Sequence, residues 1–451
     1  MKDLRDYLKV LAGDEKEYAI SEGQVSLDKE ITQIVNYLQH RGENPAVMFN
    51  NVAGASMPVL TNLFSSRKRL ALALECEEAD LERTYRAREK NFIPPVMVES
   101  GPVQEIDIDG EDIDITTFPV LTHNSGDVGP YITAGMMTIK DPDTGTRNTG
   151  IYRLMVKDGR HTGIHMAETG HAHFIFKKYI ERKRNMPVAI TIGAHPALYL
   201  GSLSLAPLGV DEFEAMGGLL SRPMEMVKCR TVDLEIPSNA EICLEGYISW
   251  DLRETEGPVG EWQSVYCKEH LYPVVTIEHI SMRKNPIYLD ICPGGTDHLL
   301  MGGLPRLSKI YASVKQDCPG VKDIYMPPGG FCRNLCYISM KKTMEGEPAT
   351  AAAAVFAADF FVRHVVVVDE DVDIHSDTEV LQAINLYMVT GRCFVMPYAK
   401  GDPTDPTNRN GVVTKIGIDA TTPIGGKVQR VNSSEGFDHI DLRRVFPGKV
   451  L

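Results

Sequence analysis

The chain has 451 residues, more than one hydrophobic core usually serves, since single cores rarely grow past ~250 residues. Hydrophobic residues make up 43% and charged ones 24%, values that argue against a disordered or low-complexity chain and for two or three globular bodies. A formal net charge of −14, without a basic stripe interleaved with aromatics, argues against nucleic acid as a partner, and no apolar run approaches the ~20 residues of a membrane span.

The opening stretch, MKDLRDYLKVLAG, is charged throughout and places Leu4, Leu8 and Leu11 at helical spacing. It reads as an amphipathic helix ending near Gly13 and not as a secretory segment, so a cytoplasmic location is expected. KEYAIS at 16–21 follows as a strand, LDKEITQIVNYLQHRG at 27–42 as a helix closing on Gly42, and PAVMFNNV at 45–52 as a buried strand. LERTYRAREKN then runs as a helix into Pro94 and Pro95, a linker signal, so residues 1–98 read as an N-terminal α/β domain.

From 99 to 296 the texture changes to short β-runs split by Gly, Pro and Asp: VQEIDIDG, DIDITTFPVL, YITAGMMTIKDPDTGTRNTGIYRLMV, MPVAITIG, TVDLEIP, AEICLEGYIS and YPVVTIEHISM. That punctuation predicts a barrel or sandwich, interrupted by helices over His171 to Arg184 and Asp211 to Leu220. From 297 to 451 helices and strands alternate again. LPRLSKIYASVKQ and the Ala-rich ATAAAAVFAADFF are helical, VKDIYMP is β-rich, and HVVVVDED is an apolar strand ending in acids, so a second α/β domain is expected. Nine cysteines are scattered from Cys76 to Cys393, and even Cys332 and Cys336 lack CxxC spacing, which predicts reduced thiols.

Two groups of residues could carry chemistry. In ETEGPVGEW at 254–262, Glu256 and Glu261 flank a Gly-Pro-Val-Gly turn, the kind of loop that presents side chains at a cleft or simply to water. Arg153 lies in the strand-like stretch RNTGIYRLMV and needs an anion if it is buried. Two carboxylates sharing one guanidinium titrate as a coupled set, so one carries a proton while the other stays ionised. The second group is Asn148, His171 and Glu212, with His161, His165 and His173 nearby. Mixed oxygen and imidazole donors suit Mn²⁺ or Mg²⁺ better than zinc, although a lone helical His is usually structural. No GxxxxGK[ST] loop, GxSxG elbow or strand-to-helix GxGxxG is present, which removes the usual support for kinase, α/β-hydrolase and Rossmann readings.

Together these pieces resemble the UbiD family of reversible decarboxylases. The matching stretches are NTGIYRLM at 148–155, PVAITIGAHPALYLGS at 187–202, DEFEAMGGLL around Glu212, EMVKCRTVDLEIPSNAEICLEGYI at 225–248, EGPVGE at 256–261, DHLLMGGLPR at 297–306 and TKIGIDAT at 414–421. Their order and approximate spacing hold over nearly the full chain. The resemblance implies an N-terminal α/β domain, a central flavin-reductase-like split β-barrel and a C-terminal α/β oligomerisation domain, assembled as a homodimer or a trimer of dimers.

It further implies prenylated FMN as cofactor, delivered by a flavin prenyltransferase, with a divalent metal, Mn²⁺ or Mg²⁺, clamping its phosphate and K⁺ beside it near Ser202 to Ser204. Asn148, Ile151, Arg153, His171 and Glu212 fall on the cofactor-binding positions, with Asn148, His171 and Glu212 as metal ligands and His171 preferred over His173. Arg153, Glu256 and Glu261 fall on the catalytic positions. The implied reaction is non-oxidative loss or gain of CO₂ on an aromatic, heteroaromatic (furan or pyrrole) or α,β-unsaturated carboxylic acid through a covalent cofactor adduct, with Glu261 protonating the product carbon. Asp297, His298, Met301 and Arg306 fall where relatives line the substrate pocket or its approach, and His298 with Arg306 would hold a second anionic group unless Arg306 merely pairs with a neighbouring acid. The alternatives from other classes are an FMN-dependent oxidoreductase on a split barrel, a non-catalytic carboxylase subunit and, from the histidines alone, a Mn²⁺-dependent hydrolase.

Overall fold

The computed structural model describes residues 1–389, 391–402, 405, 407–426, 440 and 444. The first helix, Leu4–Leu11, buries Leu4, Tyr7, Leu8 and Leu11 on one face, and Asp3 caps it by accepting the Asp6 N–H at 2.9 Å. The strands Tyr18–Ser21 and Ala46–Phe49 pair in parallel with the helix Glu30–His40 between them, as the periodicity predicts. Val59–Thr61 and the distant Tyr288–Leu289 complete this four-stranded sheet, so the chain returns to its first body just before entering the third.

The middle stretch forms a nine-stranded sheet. Along its path run Tyr131–Ile132, Leu154–Val156, His161–Ile164, His270–Met282, Ile242–Glu256, Met186–Ile192, Met136–Lys140 and Arg147–Ile151, with Ile106–Asp109 attached to His270–Met282. One connection shows that this sheet is rolled. Ile151 and Leu154 sit six strand spacings apart on the path, roughly 29 Å if the sheet were flat, yet three Cα steps reach at most ~11 Å. The two ends of the path must therefore approach each other, which makes the sheet a curled half-barrel, and Arg153 stands on the seam. The expectation that Arg153 lies within a strand is corrected accordingly: it occupies the short break between Arg147–Ile151 and Leu154–Val156.

DIDITTFPVL also departs from its predicted strand and forms two 3₁₀ turns, Gly110–Asp112 and Ile115–Thr117. Asp114 accepts the Thr116 N–H at 2.9 Å, a local side-chain bond that competes with sheet pairing. The long hairpin of Ile242–Glu256 and His270–Met282 carries a register shift at Glu245/Gly246. There a Cβ on Gly246 would collide with the Thr276 carbonyl oxygen across the pair. Gly246→Ala is expected to cost about 1–3 kcal/mol through overpacking, read as a lower denaturation midpoint.

The third body is a five-stranded sheet ordered Val321–Tyr325, Leu335–Met340, His364–Asp369, Val412–Ala420 and Cys393–Lys400. Val365 to Val368 are buried on both faces, between the helix Glu347–Ala358 on one side and Asp377–Tyr387 on the other. The helix predicted from LPRLSKIYASVKQ starts earlier and runs Thr296–Asp317 through Pro305. Gly302 and Gly303, which lower helix propensity, lie so close to Arg333 and Cys332 that a Cβ on either would clash. The expected stretch 297–451 extends beyond the described residues.

Candidate active site

Glu256 ends the strand Ile242–Glu256, and the chain then turns through Gly257, whose φ of 91° suits glycine. The turn is tied internally by the Cys267 N–H donating to the Val259 carbonyl at 3.0 Å and the Glu261 N–H to Val265 O at 2.8 Å, and externally by the Gly260 N–H donating to Asp127 Oδ1 at 2.8 Å. It delivers Glu261 to the barrel seam opposite Arg153. Arg153 Nε donates to Glu256 Oε1 at 2.9 Å, Nη1 to Glu261 Oε1, and Nη2 to Cys267 Sγ at 3.6 Å. One guanidinium therefore gathers both acids of the EGPVGE turn.

Glu256 is wholly buried; the Tyr131 phenol is near its carboxylate, whose Oε2 has no hydrogen-bond partner among the described residues. Burial raises its pKa although Arg153 opposes the rise. Burial also works against the charge on Arg153, but Glu261 and Glu256 more than offset it and its pKa is raised. Two carboxylates against one guanidinium leave one excess negative charge, and a proton held by the set removes it.

Arg153 and Glu261 line a cavity of about 280 Å³, together with Tyr131, Ile151, Tyr152, His165, Leu203 and Trp262 on the barrel side. His165 packs against Tyr272 in a tilted ring contact with centroids 4.8 Å apart, and burial, with help from Arg153, lowers its pKa to about 3, so it is a neutral imidazole.

Asn148 and Glu212 are brought together. Asn148 Nδ2 donates to Glu212 Oε1 at 2.8 Å and the Thr149 N–H to Oε2 at 2.9 Å. Glu212 opens the helix Glu212–Leu220, capped by Asp211, and burial raises its pKa to about 7. Among the described residues this buried carboxylate hydrogen-bonds only neutral donors, and a divalent cation would compensate its charge, so the donor chemistry fits the metal that the family resemblance implies. His171 begins the helix His171–Glu181, half-buried, and makes no hydrogen bond to Asn148 or Glu212; His173 is likewise half-buried on the same turn. The Ser202 hydroxyl donates to Tyr199 O at 2.8 Å, beside the cavity-lining Leu203.

The far wall of the cavity comes from the third body. His298 and Met301 line it, as expected, whereas Asp297 is fully buried behind it. Asp297 accepts the His298 N–H at 2.8 Å and the Cys292 N–H at 3.4 Å, which fixes the turn that carries His298. The Gly294 N–H donates to His298 Nδ1 at 3.3 Å, so the neutral ring, its pKa lowered to about 3 by burial, carries its proton on Nε2.

Arg306 does not line the cavity. It pairs with Asp359 at 2.7 Å and lies over Phe361, and the cation on this wall is Arg333. Arg333 is buried over the Trp262 ring at 4.8 Å, and its Nη1 finds no hydrogen-bond partner among the described residues. Burial, with Arg306 nearby, pulls its pKa down to about 9, which leaves it charged at neutral pH. Sequence reasoning missed Arg333 because it sits in the irregular loop after Pro328–Gly330, where no periodicity marks a side chain as inward.

The chain is thus a rolled sheet between two α/β bodies, with an Arg-tethered acid pair on its seam and one of those acids, Glu261, lining a cavity. Residues 14–88, 96–296 and 299–420 match the N-terminal, Rift-related and C-terminal domains described for 3-octaprenyl-4-hydroxybenzoate carboxy-lyase, and the chain belongs to the UbiD family. It is 34% identical over 431 residues to the anhydromevalonate phosphate decarboxylase of Methanothermobacter thermautotrophicus, covering 93% of this chain and 98% of that one. The UbiD-class enzyme HmfF from Pelotomaculum thermopropionicum, solved with FMN, superposes with a TM-score of 0.93 at 37% identity over 98% of this chain and 99% of that one. An evolved dimeric form of HmfF was solved with prenylated FMN, and superposes at 0.90 and 34% over 98% and 100%. The 3,4-dihydroxybenzoic acid decarboxylase AroY of Klebsiella pneumoniae superposes at 0.90 and 25% identity over the whole of both chains. The protein is thus a UbiD-type carboxy-lyase with the expected three-part α/β and split-barrel fold, and the similar structures solved with FMN and prenylated FMN support a flavin cofactor. No described helix is long and apolar enough to cross a membrane.

Proposed function

We propose that this enzyme catalyses reversible, non-oxidative decarboxylation of an aromatic, heteroaromatic or α,β-unsaturated carboxylic acid, with Glu261 protonating the product carbon. The observation that carries the reading is Arg153 joined to both Glu256 and Glu261, with Glu261 alone of the two acids lining the cavity. Prenylated FMN, bound there, would supply an electron-accepting centre for the carbon that loses CO₂. Asn148 and Glu212, with His171 brought in from its helix, would hold Mn²⁺ or Mg²⁺ against the cofactor phosphate, and backbone near Ser202 to Ser204 would serve K⁺. Ile151 and Arg153 would flank the ring.

The protein's own residues then divide the work. Arg153 orients the acids and meets the incoming carboxylate; Glu256, wholly buried on the same guanidinium, tunes the proton affinity of Glu261. As the C–C bond breaks and CO₂ leaves, Glu261 gives its proton to the same carbon and a C–H bond forms. Arg333 and the His298 Nε2–H stand across the cavity, where they suit a second anionic group, and Met301 packs beside them. That combination favours a diacid as substrate. A phosphate-bearing acid is the second reading, favoured by the same Arg333 and by the activity named for the methanogen relative.

The domain division 1–98, 99–296 and 297–451 and a homo-oligomer built through the third body belong to the same reading, supported by the exposed Leu381, Leu386 and Val389. A flavin prenyltransferase would supply the cofactor. The test is reconstitution with prenylated FMN and a screen of aryl and heteroaryl mono- and diacids for CO₂ release. Release from at least one acid is expected, fastest from diacids. NAD(P)H-driven turnover on unmodified FMN, with no CO₂ from any acid, would reject the proposal in favour of a flavin oxidoreductase.

A further inference from the structure

The third arm of the Arg153 fork is the least expected of its contacts. A guanidinium presents five N–H donors in one plane; Nε serves Glu256, Nη1 serves Glu261, and Nη2 points at the sulfur of Cys267, 3.6 Å away. Cys267 stands on the return limb of the same turn, half-buried and held by its N–H to the Val259 carbonyl at 3.0 Å. The charged and titratable groups around its sulfur are Arg153, Glu256, Glu261 and the Tyr131 and Tyr272 phenols.

We propose that Cys267 is a positioning residue for proton delivery: its sulfur occupies the third corner of the Arg153 fork and keeps Glu261 on a single N–H. This rests on the reading of Glu261 as the proton donor. The physical reason is the strength of the alternative. With Nη2 free, the Glu261 carboxylate can take Nη1 and Nη2 together, and that bidentate pairing is among the strongest of charged hydrogen bonds. A carboxylate held in this way is stabilised in its ionised form and gives up the proton-carrying form that catalysis needs. A thiol satisfies Nη2 weakly and without charge. Burial raises the Cys267 pKa although Arg153 opposes the rise, so the sulfur stays neutral and adds no third anion to the set. A carboxylate at this position would compete for the guanidinium, and an aliphatic side chain would release it.

Two variants of the cofactor-loaded enzyme separate positioning from packing. Cys267→Val has similar volume and no acceptor, and is expected to lower kcat about fivefold to tenfold with KM within about twofold, the loss of one modest hydrogen bond. Cys267→Ser restores an acceptor and is expected to stay within about twofold of the native kcat. Native kcat in Cys267→Val, or a Cys267→Ser enzyme as impaired as Cys267→Val, overturns the proposal. A second measurement needs no turnover: the pH midpoint of Cys267 alkylation by a haloacetamide, followed by mass spectrometry of its peptide. That midpoint is expected to rise in Arg153→Met, because the cation that lowers the thiol pKa is gone, and an unmoved midpoint overturns the contact. Failure of the native enzyme to release CO₂ from any acid would count against the proposed reaction alone, and the alkylation midpoint would then decide the case of Cys267.

Discussion

Replacing Glu261 by glutamine is expected to lower kcat roughly a hundredfold to ten-thousandfold, the range over which a positioned acid or base contributes, while KM for the acid changes little. Glutamine has the size of glutamate and can still accept the Arg153 Nη1–H, so the geometry of the turn survives. It has no proton to give. The substitution also removes the Glu261 carboxylate charge, which helps raise the Glu256 pKa, so Glu256 holds a proton less readily at the same time. The step that fails should be formation of the new C–H bond. Two measurements check this: kcat for CO₂ release, and incorporation of solvent deuterium at the product carbon, which is expected to fall in parallel. A Glu261→Gln enzyme with native turnover and native deuterium incorporation removes Glu261 from the proton path.

The parts of this arrangement that sequence reveals are those written in short, rigid stretches of chain. EGPVGE fixes Glu256 and Glu261 on one turn because glycine and proline leave the backbone few options, and alternating apolar residues mark the barrel strands. The partnership of those acids with Arg153 joins residues over a hundred positions apart, and only the rolling of the sheet brings its seam to the turn. Family resemblance supplied that pairing; periodicity alone misread the local backbone at Arg153 as continuous strand. DHLLMGGLPR shows the opposite failure. His298 and Met301 reach the cavity, but Arg306, five residues past Met301, comes to a different face of the helix and meets Asp359 instead. Its place is taken by Arg333, from a loop whose only signals are glycine and proline, and Cys267 was hidden for the same reason. Loop residues acquire their direction from tertiary packing, and a single sequence records little of it.

Arg333 gives the sharpest test of substrate class, because function and stability should move in opposite directions. A buried guanidinium whose Nη1 has no partner among the described residues is costly to the empty protein, and burial, with Arg306 nearby, drops its pKa to about 9. Stacking over Trp262 offsets part of the cost, but a stacked ring does not satisfy an N–H donor. A substrate with a second anionic group supplies the missing partner. Arg333→Met keeps a long apolar side chain over the ring and removes the charge. For a diacid, the expected loss in kcat/KM is about 2–3 kcal/mol, roughly 30- to 150-fold, the low end of what removing one member of a buried charge pair costs. For the matching monoacid the change should stay within about twofold, since no anion faces Arg333 in that complex. The ligand-free variant should also unfold at a higher temperature than the native protein, because the uncompensated charge is gone. Parallel kinetics on a mono- and diacid pair and a thermal denaturation series without ligand suffice to check both. Equal losses on the two acids would make Arg333 a structural residue of the cavity wall, and the preference for a second anionic group would then have no cation to carry it.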